Sequence, residues 1–359
     1  MWTAFTARNF RGFRNLRLTP LGRVNLIAGK NNTGKTALLE AINLHSQPQN
    51  CEVPFAINNR RSSAPDKAFD VETCSWLFFD REASSGLETM SEEENGERRS
   101  LQVWIGDAAS VAAKCPEAEN ALSETLRTPG LRDLWFAGGV RIVQRTEVNG
   151  SKYYSVAFPG SWEGLLSGGQ IYHHTNHSLF IGSAGRSQEE DAKAFSELEA
   201  ANRQEALLPS LRVLEQRLQR LSILLLGNKP VVHGNIGLSR LVPVQFMGEG
   251  IRRLLSIVLA ITTAPGGNVL IDEVENGLHY SVLQDVWRAI GVAARSANVQ
   301  VFATTHSYEC IQAAQQAFAQ NAPDDLRLFR LDRHNGEVKA VVYTANTLNT
   351  SIDMNLEVR

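Results

Sequence analysis

The stretch Gly29-Lys30-Asn31-Asn32-Thr33-Gly34-Lys35-Thr36 decides the fold, because it fills the pattern GxxxxGK[ST] and carries the flanks that pattern needs. Before it, RVNLIA is an apolar run of strand length; after it, ALLEAINLH continues with helical spacing. Gly29 and Gly34 let the backbone turn tightly, so that N–H groups along Asn31, Asn32 and Thr33 can point inward around an anion. The N-terminus of the following helix adds its partial positive charge. Lys35 is placed to reach the outer phosphate oxygens of a nucleoside triphosphate, and the Thr36 hydroxyl to hold Mg²⁺. A chance glycine-rich turn does not account for strand, loop and helix in that order.

A second apolar strand, NVLIDE (268–273), ends in two carboxylates. Asp272 is expected at the carboxyl edge of the sheet beside the phosphate loop, where it can complete a magnesium shell. Glu273 is then placed to orient or deprotonate an attacking water, the alternative being a cap on the next turn. A third strand, VQVFATT (299–305), delivers His306 to the same edge, where a neutral imidazole can donate to a γ-phosphate. A lone histidine would carry no such weight; its place behind a third core strand gives it that weight.

Composition sets the outer limits. With 359 residues and 43% hydrophobic side chains the chain can bury a full core. Its 36 basic and 38 acidic residues leave a formal charge of -2, so contact with nucleic acid or anionic lipid would have to be local. Cys51, Cys74, Cys115 and Cys310 are scattered with no CxxC pair, which suits free thiols in a reducing compartment; the cytoplasm is the expected location. The opening MWTAFTARNFRGFRN lacks the apolar core of a secretory signal, and no run approaches the ~20 residues that span a bilayer. The sequence therefore predicts neither export nor membrane insertion.

The chain reads as a single domain over 1–359. Its nucleotide-binding core comes from residues 1–45 and 236–359, around an insertion-rich middle at 46–235. TAFTARNF and FRNLRLTP predict two short strands around a turn. CSWLFFD (74–80) and LQVWIGD (101–107) are strand candidates, with the acidic DREASSGLETMSEEENGERRS (80–100) read as a loop between them. RIVQRTEV and SKYYSVAF flank Asn149-Gly150, a hairpin pair. Leu207, Leu211, Leu214, Leu218, Leu221 and Leu225 alternate steps of four and three, which predicts one stripe of a helical arm over about 187–227. That arm packs on its own domain or, as the lesser reading, forms an intermolecular seam. Helices at 250–261, 281–296 and 308–319 alternate with strands, and a hairpin around Asn335-Gly336 follows. The expected class is α/β: a mixed, mainly parallel core sheet flanked by helices, an antiparallel β subdomain on the N-terminal side and a helical insertion.

GKNNTGKT, LIDEVENGLH (270–279) and FATTHS (302–307) together resemble the ABC-type P-loop ATPases of the group that includes the overcoming-lysogenization-defect (OLD) proteins and their stand-alone AAA-type relatives. The resemblance covers about residues 1–45 and 235–359, including RLDRHNGEVKAVVY and the terminal LEVR. It implies ATP and Mg²⁺ as cofactors, ATP hydrolysis, and a sandwich dimer in which each bound nucleotide is capped by a loop of the other copy. That capping loop opens a helix which feeds the strand bearing Asp272. LSGGQ at 166–170 has the family spelling but not the position: IYHHTNHSLF after it is β-leaning, and about a hundred residues separate it from Asp272. It reads as a glycine-rich loop.

Gln245-Phe246-Met247-Gly248-Glu249-Gly250 directly precedes IRRLLSIVLAI and lies about 22 residues before Asp272. Gly248, Glu249 and Gly250 are therefore expected to meet the γ-phosphate of a second copy, with Arg252 or Arg253 nearby. Met247 stands where a serine is common, which bears on hydrolysis rate more than on binding. Asn276 and His279 match the position of the dimer-crossing loop, the alternative being caps on the next helix. His173, His174 and His177 lack a Cys or acidic pair at ligand spacing and read as an exposed polar loop. No Q-loop can be placed.

OLD proteins proper carry a TOPRIM-type nuclease after the ATPase. About fifty residues follow His306 here, without its acidic cluster, so the chain resembles the ATPase part alone. The resemblance implies a nucleotide-driven homodimer, or a higher oligomer of dimers, acting as sensor or regulatory subunit of a bacterial anti-phage system beside a separate nuclease-like effector. The rival is a RecF- or SMC-like ATP-dependent clamp on DNA in recombination repair. A transporter cassette is disfavoured, since it would place LSGGQ just before the acidic strand.

Overall fold

We describe a computed structural model of the chain; it covers all residues except 49, 60, 62–70, 124–126, 128–140, 160–164, 170–177 and 321. Two antiparallel strands, β1 (Trp2–Phe10) and β2 (Phe13–Leu18), lead to β3 (Val24–Ala28), the phosphate loop and α1 (Lys35–Ser46). Short helices α2 (Val53–Asn59) and α3 (Val71–Ser75) precede the hairpin β4 (Leu87–Glu93) and β5 (Arg98–Gly106). After α4 (Ala108–Lys114) and α5 (Glu117–Ala121) come β6 (Arg141–Val148), β7 (Ser151–Pro159) and β8 (Leu165–Gly169). The chain then forms β9 (Ser178–Ile181), α6 (Gln188–Ala200), α7 (Leu208–Leu211), β10 (Arg220–Leu226), β11 (Lys229–Asn235) and β12 (Val242–Pro243). Alternation follows: α8 (Glu249–Thr263), β13 (Asn268–Ile271), α9 (Leu283–Ser296), β14 (Gln300–Thr304) and α10 (Tyr308–Phe318). The hairpin β15 (Leu326–His334) and β16 (Glu337–Tyr343) and helix α11 (Ala345–Asp353) come last.

The core sheet has the order β16-β15-β3-β14-β13-β9, with β16 alone antiparallel to its neighbour. Because β3, β13 and β14 run parallel, their carboxyl ends meet at one edge. Successive side chains of a strand face opposite sides, and the core strands use both. Val24, Leu26, Val269, Ile271, Val301 and Ala303 pack into one cluster with α6, α8, α9 and α10. Ile27, Leu270, Phe302 and Phe329 pack into a second cluster with α1 and the inner face of an antiparallel sheet, β2-β1-β4-β5-β6-β7-β8. Gln300 bridges the two sheets: its amide accepts from Trp2 N at 3.1 Å and donates to Trp2 O and Gly22 O at 2.9 and 2.8 Å. The segment 46–235 is woven into both sheets, since β4 pairs with β1 and β9 with β13.

Four local expectations change. CSWLFFD is not a strand: Cys74, Leu77 and Phe78 are buried at steps of three and four, the spacing of α3 and the helical turns after it, while Trp76 stays outside. The acidic 80–100 segment is largely the β4–β5 hairpin rather than a loop. Leu87, Thr89 and Ser91 alternate inward, and the acidic residues are their outward neighbours. The helical arm ends at Ala200; Leu221 and Leu225 lie on β10, and Leu218 in the turn before it. Leu207, Leu211, Leu218 and Leu221 are buried, whereas Leu225 is 69% exposed, so the stripe records core burial reached through turns. Residues 165–169 of LLSGGQ form β8, an edge strand on which Ser167 pairs with Ala157 of β7; Gln170, His173, His174 and His177 lie outside the described residues.

Candidate functional site

The phosphate loop needs glycine at both ends. Gly34 caps α1 with φ +98°, and a Cβ there would sit 2.8 Å from the Phe13 ring; Gly29 has φ +145°, with Leu331 O 2.7 Å from any added Cβ. Inside the loop the Thr33 hydroxyl donates to Lys30 O at 2.8 Å, and Lys35 Nζ folds back on Gly29 O at 2.6 Å and Lys30 O at 3.1 Å. Asn31 and Asn32 line the adjoining cavity, and Asn32 takes the left-handed conformation, φ +63°. Burial lowers the pKa of Lys35, opposed by the nearby carboxylates of Glu273, Asp272 and Glu275.

Thr36, on the first turn of α1, donates to both oxygens of Asp272, at 3.2 and 3.0 Å. The hydroxyl of Thr304, at the end of β14, donates to Asp272 Oδ1 at 2.6 Å and accepts from Glu273 N at 2.8 Å. Glu273 holds a left-handed backbone, φ +48°, uncommon for a non-glycine residue and worth reading as imposed by its surroundings. Two further groups hold the residue, one at its carbonyl and one at its carboxylate. Arg253, 2% exposed, donates to Asp272 O at 2.8 Å, Glu273 O at 3.1 Å and Gly182 O at 2.9 Å. Asn276 Nδ2 donates to Glu273 Oε2 at 2.7 Å, leaving Oε1 for another partner.

His306 is half exposed, its Nδ1 3.3 Å from Glu275 Oε1 and 3.9 Å from Glu273 Oε1. Glu275 Oε1 also accepts from Thr305 Oγ1 and His306 N, so this carboxylate fixes the turn that presents the imidazole. His279 caps the turn at Tyr280, its Nδ1 accepting from Ser281 N at 3.4 Å, and is itself exposed; Asn276 is turned onto Glu273 and Ser183 O.

A cavity of about 1150 Å³ opens beside the loop, with Asn31, Lys35, Thr36, Asp272 and Glu273 in its wall. It is ample for a nucleoside triphosphate. The donor set suits magnesium: a threonine hydroxyl and a carboxylate are hard oxygen ligands. A triphosphate brought next to Asp272 and Glu273 would also be repelled by like charges, at about 4 kcal/mol for each pair 4 Å apart near a protein surface, unless a cation lay between them.

Gly248, Glu249, Gly250 and His306 are not among the described residues lining that cavity. Gly248 precedes α8 with φ +121°, and Glu249 forms a forked ion pair with Arg252 that holds its carboxyl below the usual range. A Cβ on Gly277 would fall 2.6 Å from Glu249 Cγ, so this loop and the one after Glu273 are packed together within one chain. Arg253 is committed to the carbonyls around Asp272 and is removed from the candidates for contact with a second copy. Thr304, Glu275, Arg11 in the β1–β2 turn and Arg333, whose Nη2 donates to Asn32 O at 3.2 Å, also serve the site or its rim. Glu275 and Thr304 lie inside LIDEVENGLH and FATTHS without being singled out there, and no motif marks Arg11 or Arg333. A period-two reading of β14 could have found Thr304, which shares a face of the strand with Phe302.

Known proteins give independent bearings. Residues 168–311 match a family described as "AAA domain, putative AbiEii toxin, Type IV TA system", and residues 5–45 match a second AAA domain family. A Helicobacter pylori protein named "ATP/GTP phosphatase" is 22% identical over 331 residues, 87% of each chain. A Methanocaldococcus jannaschii protein, MJECL10, is 57% identical over 37 residues, 10% of this chain and 17% of that one. Among solved structures, a "SmcHead bound to the C-winged helix domain of ScpA" matches with TM-score 0.50 and 12% identity, covering 96% of this chain and 98% of that one. The fold is that of an α/β P-loop NTPase, similar to the SMC head.

Proposed function

We propose that the chain binds ATP with Mg²⁺ at Gly29–Thr36, hydrolyses it, and uses the cycle to close and open a head-to-head homodimer. One observation carries the reading: a continuous set of bonds from Thr36 through Asp272 and Thr304 to Glu273 ties the phosphate loop to the candidate base. The loop N–H groups and Lys35 bind the triphosphate, Lys35 exchanging its carbonyl partners for phosphate oxygens. Thr36 and Asp272 would hold Mg²⁺, which when bound neutralises phosphate charge. Glu273, steadied through Oε2 by Asn276, orients a water and takes its proton as the water oxygen attacks the γ-phosphorus and ADP leaves. His306 donates to the γ-phosphate, and the N–H groups of Gly248, Glu249 and Gly250 from a second copy face it from the other side.

In this reading the dimer is the sensor or regulatory subunit of an OLD-like bacterial anti-phage system and controls a separate nuclease-like effector in the cytoplasm. The residue pattern in LIDEVENGLH and FATTHS supports it, as does the AbiEii-type description of the matched family. None of the described helices is long and apolar enough to cross a membrane. The alternative, an ATP-dependent DNA clamp, draws on the SMC-head fold and predicts duplex binding with a steep salt dependence.

The dimer is tested with two variants in analytical ultracentrifugation. Gly248→Asp should abolish ATP-dependent dimerisation while the monomer still binds ATP, and Ser167→Arg should dimerise as the wild type does. The reverse pattern would return the trans contact to LSGGQ.

A further inference from the structure

Of the four described tryptophans, Trp2, Trp104 and Trp287 are at most 5% exposed, whereas Trp76 is 59% exposed and stands in the wall of the nucleotide cavity. Leaving so large an apolar ring in water is unfavourable unless something covers it. The ring is held in place. Arg81 lies over it at 4.8 Å, and Arg81 is itself fixed by Ser75 Oγ at 3.0 Å and by Glu72 at 3.4 Å. Asp80 and Arg81 both take left-handed backbone, φ +50° and +59°, which folds Arg81 back onto the indole. Two consecutive non-glycine residues in that region are unfavourable and persist only where their surroundings enforce them.

The segment is also anchored to the phosphate loop's own neighbourhood. Arg11 N in the β1–β2 turn donates to Leu77 O at 2.8 Å, and the Arg11 side chain reaches Trp76 O at 3.5 Å. The Arg11 guanidinium pairs at 2.7 Å with Glu40, 2% exposed and one helical turn beyond Thr36 on α1. Trp76 is thereby positioned relative to Lys35 and Thr36 through Arg11, Glu40 and α1.

We propose that Trp76 is the stacking platform for the nucleobase, making this a site for purine nucleoside triphosphates that grips base surface rather than reading base edge. The inference rests on the phosphate-loop reading above. It predicts that ATP and GTP bind alike and that CTP and UTP, with smaller rings to stack, bind more weakly.

The full-length chain is tested by displacement of a fluorescent ATP analogue with ATP, GTP, CTP and inorganic triphosphate. Trp76→Ala should weaken ATP and GTP roughly ten-fold, the scale of one aromatic–base stack, while inorganic triphosphate competes as in the wild type. Trp76→Phe should restore most of the loss, and the purine preference should shrink in Trp76→Ala. Unchanged ATP affinity in Trp76→Ala overturns the platform; so does an equal loss for triphosphate, which would mean a distorted loop. If inorganic triphosphate fails to bind even the wild type, and Lys35→Ala leaves ATP binding intact, the phosphate-loop reading falls first and the platform with it.

Discussion

Arg253 shows how a residue's role depends on what its neighbours leave unpaired. Its guanidinium satisfies three carbonyls around the Asp272–Glu273 turn, and burial pushes its pKa down, with Arg252 adding to the effect. A lysine keeps the charge but cannot serve three acceptors in fork geometry. Arg253→Lys should therefore lower ATP turnover about ten-fold or more with ATP affinity within about two-fold, because Glu273 is misplaced while the phosphate loop is intact. Steady-state turnover set against equilibrium binding checks this; unchanged turnover would make Arg253 a packing residue only. Lys35, Thr36, Asp272 and Glu273 were legible because each sits in a contiguous motif at a strand end. Arg253 and Asn276 were named only for contact with a second copy, and Thr304 only as a letter of FATTHS, since their bonds to Asp272 O, Glu273 Oε2 and Asp272 Oδ1 join groups that folding alone brings near.

At the scale of elements, strands were legible where both faces are buried, and the reading failed where burial and spacing part company or where outward charge hides a period of two. The Val24–Ala28, Asn268–Ile271 and Gln300–Thr304 strands announce themselves because both faces are covered and their runs are continuously apolar. The leucines from Leu207 to Leu225 keep heptad spacing yet span a helical turn, a loop and a strand: Leu207, Leu211, Leu218 and Leu221 reach the core from different elements, while Leu225 stays exposed. The β4–β5 hairpin was masked by its outward acidic residues, although inward Leu87, Thr89 and Ser91 carried the period of two.

Helix α6 offers a test of how it docks on α8. Asp191, in its first turn, is buried, accepts a hydrogen bond from Ser256 on α8 and lies 3.6 Å from Arg186. Burial raises its pKa above 3.8 despite those partners. Since the folded state holds the proton more tightly than the unfolded state, the stability contributed is fully present below the unfolded value and is lost as pH rises through the folded one. In thermal melts the wild type should therefore gain on Asp191→Asn as pH falls from neutral toward 4. A difference independent of pH, or one of opposite sign, would contradict the burial argument.

For the whole molecule, the proposed function divides the site between two copies, because its two proposed parts do not meet within one. The phosphate loop, Asp272 and Glu273 share one cavity, whereas Gly248–Gly250 pack against the Gly277 loop outside its described lining. Two copies placed head to head would complete each other, which is why the account joins hydrolysis to dimerisation. The most direct measurement combines ATP turnover and sedimentation for Glu273→Gln, which keeps the shape and the Asn276 contact while removing the proposed base. The account predicts turnover reduced by about 100-fold or more, with a stable dimer in ATP and Mg²⁺ that dissociates when the metal is chelated. Turnover like that of the wild type, or a monomer under the same conditions, would contradict it.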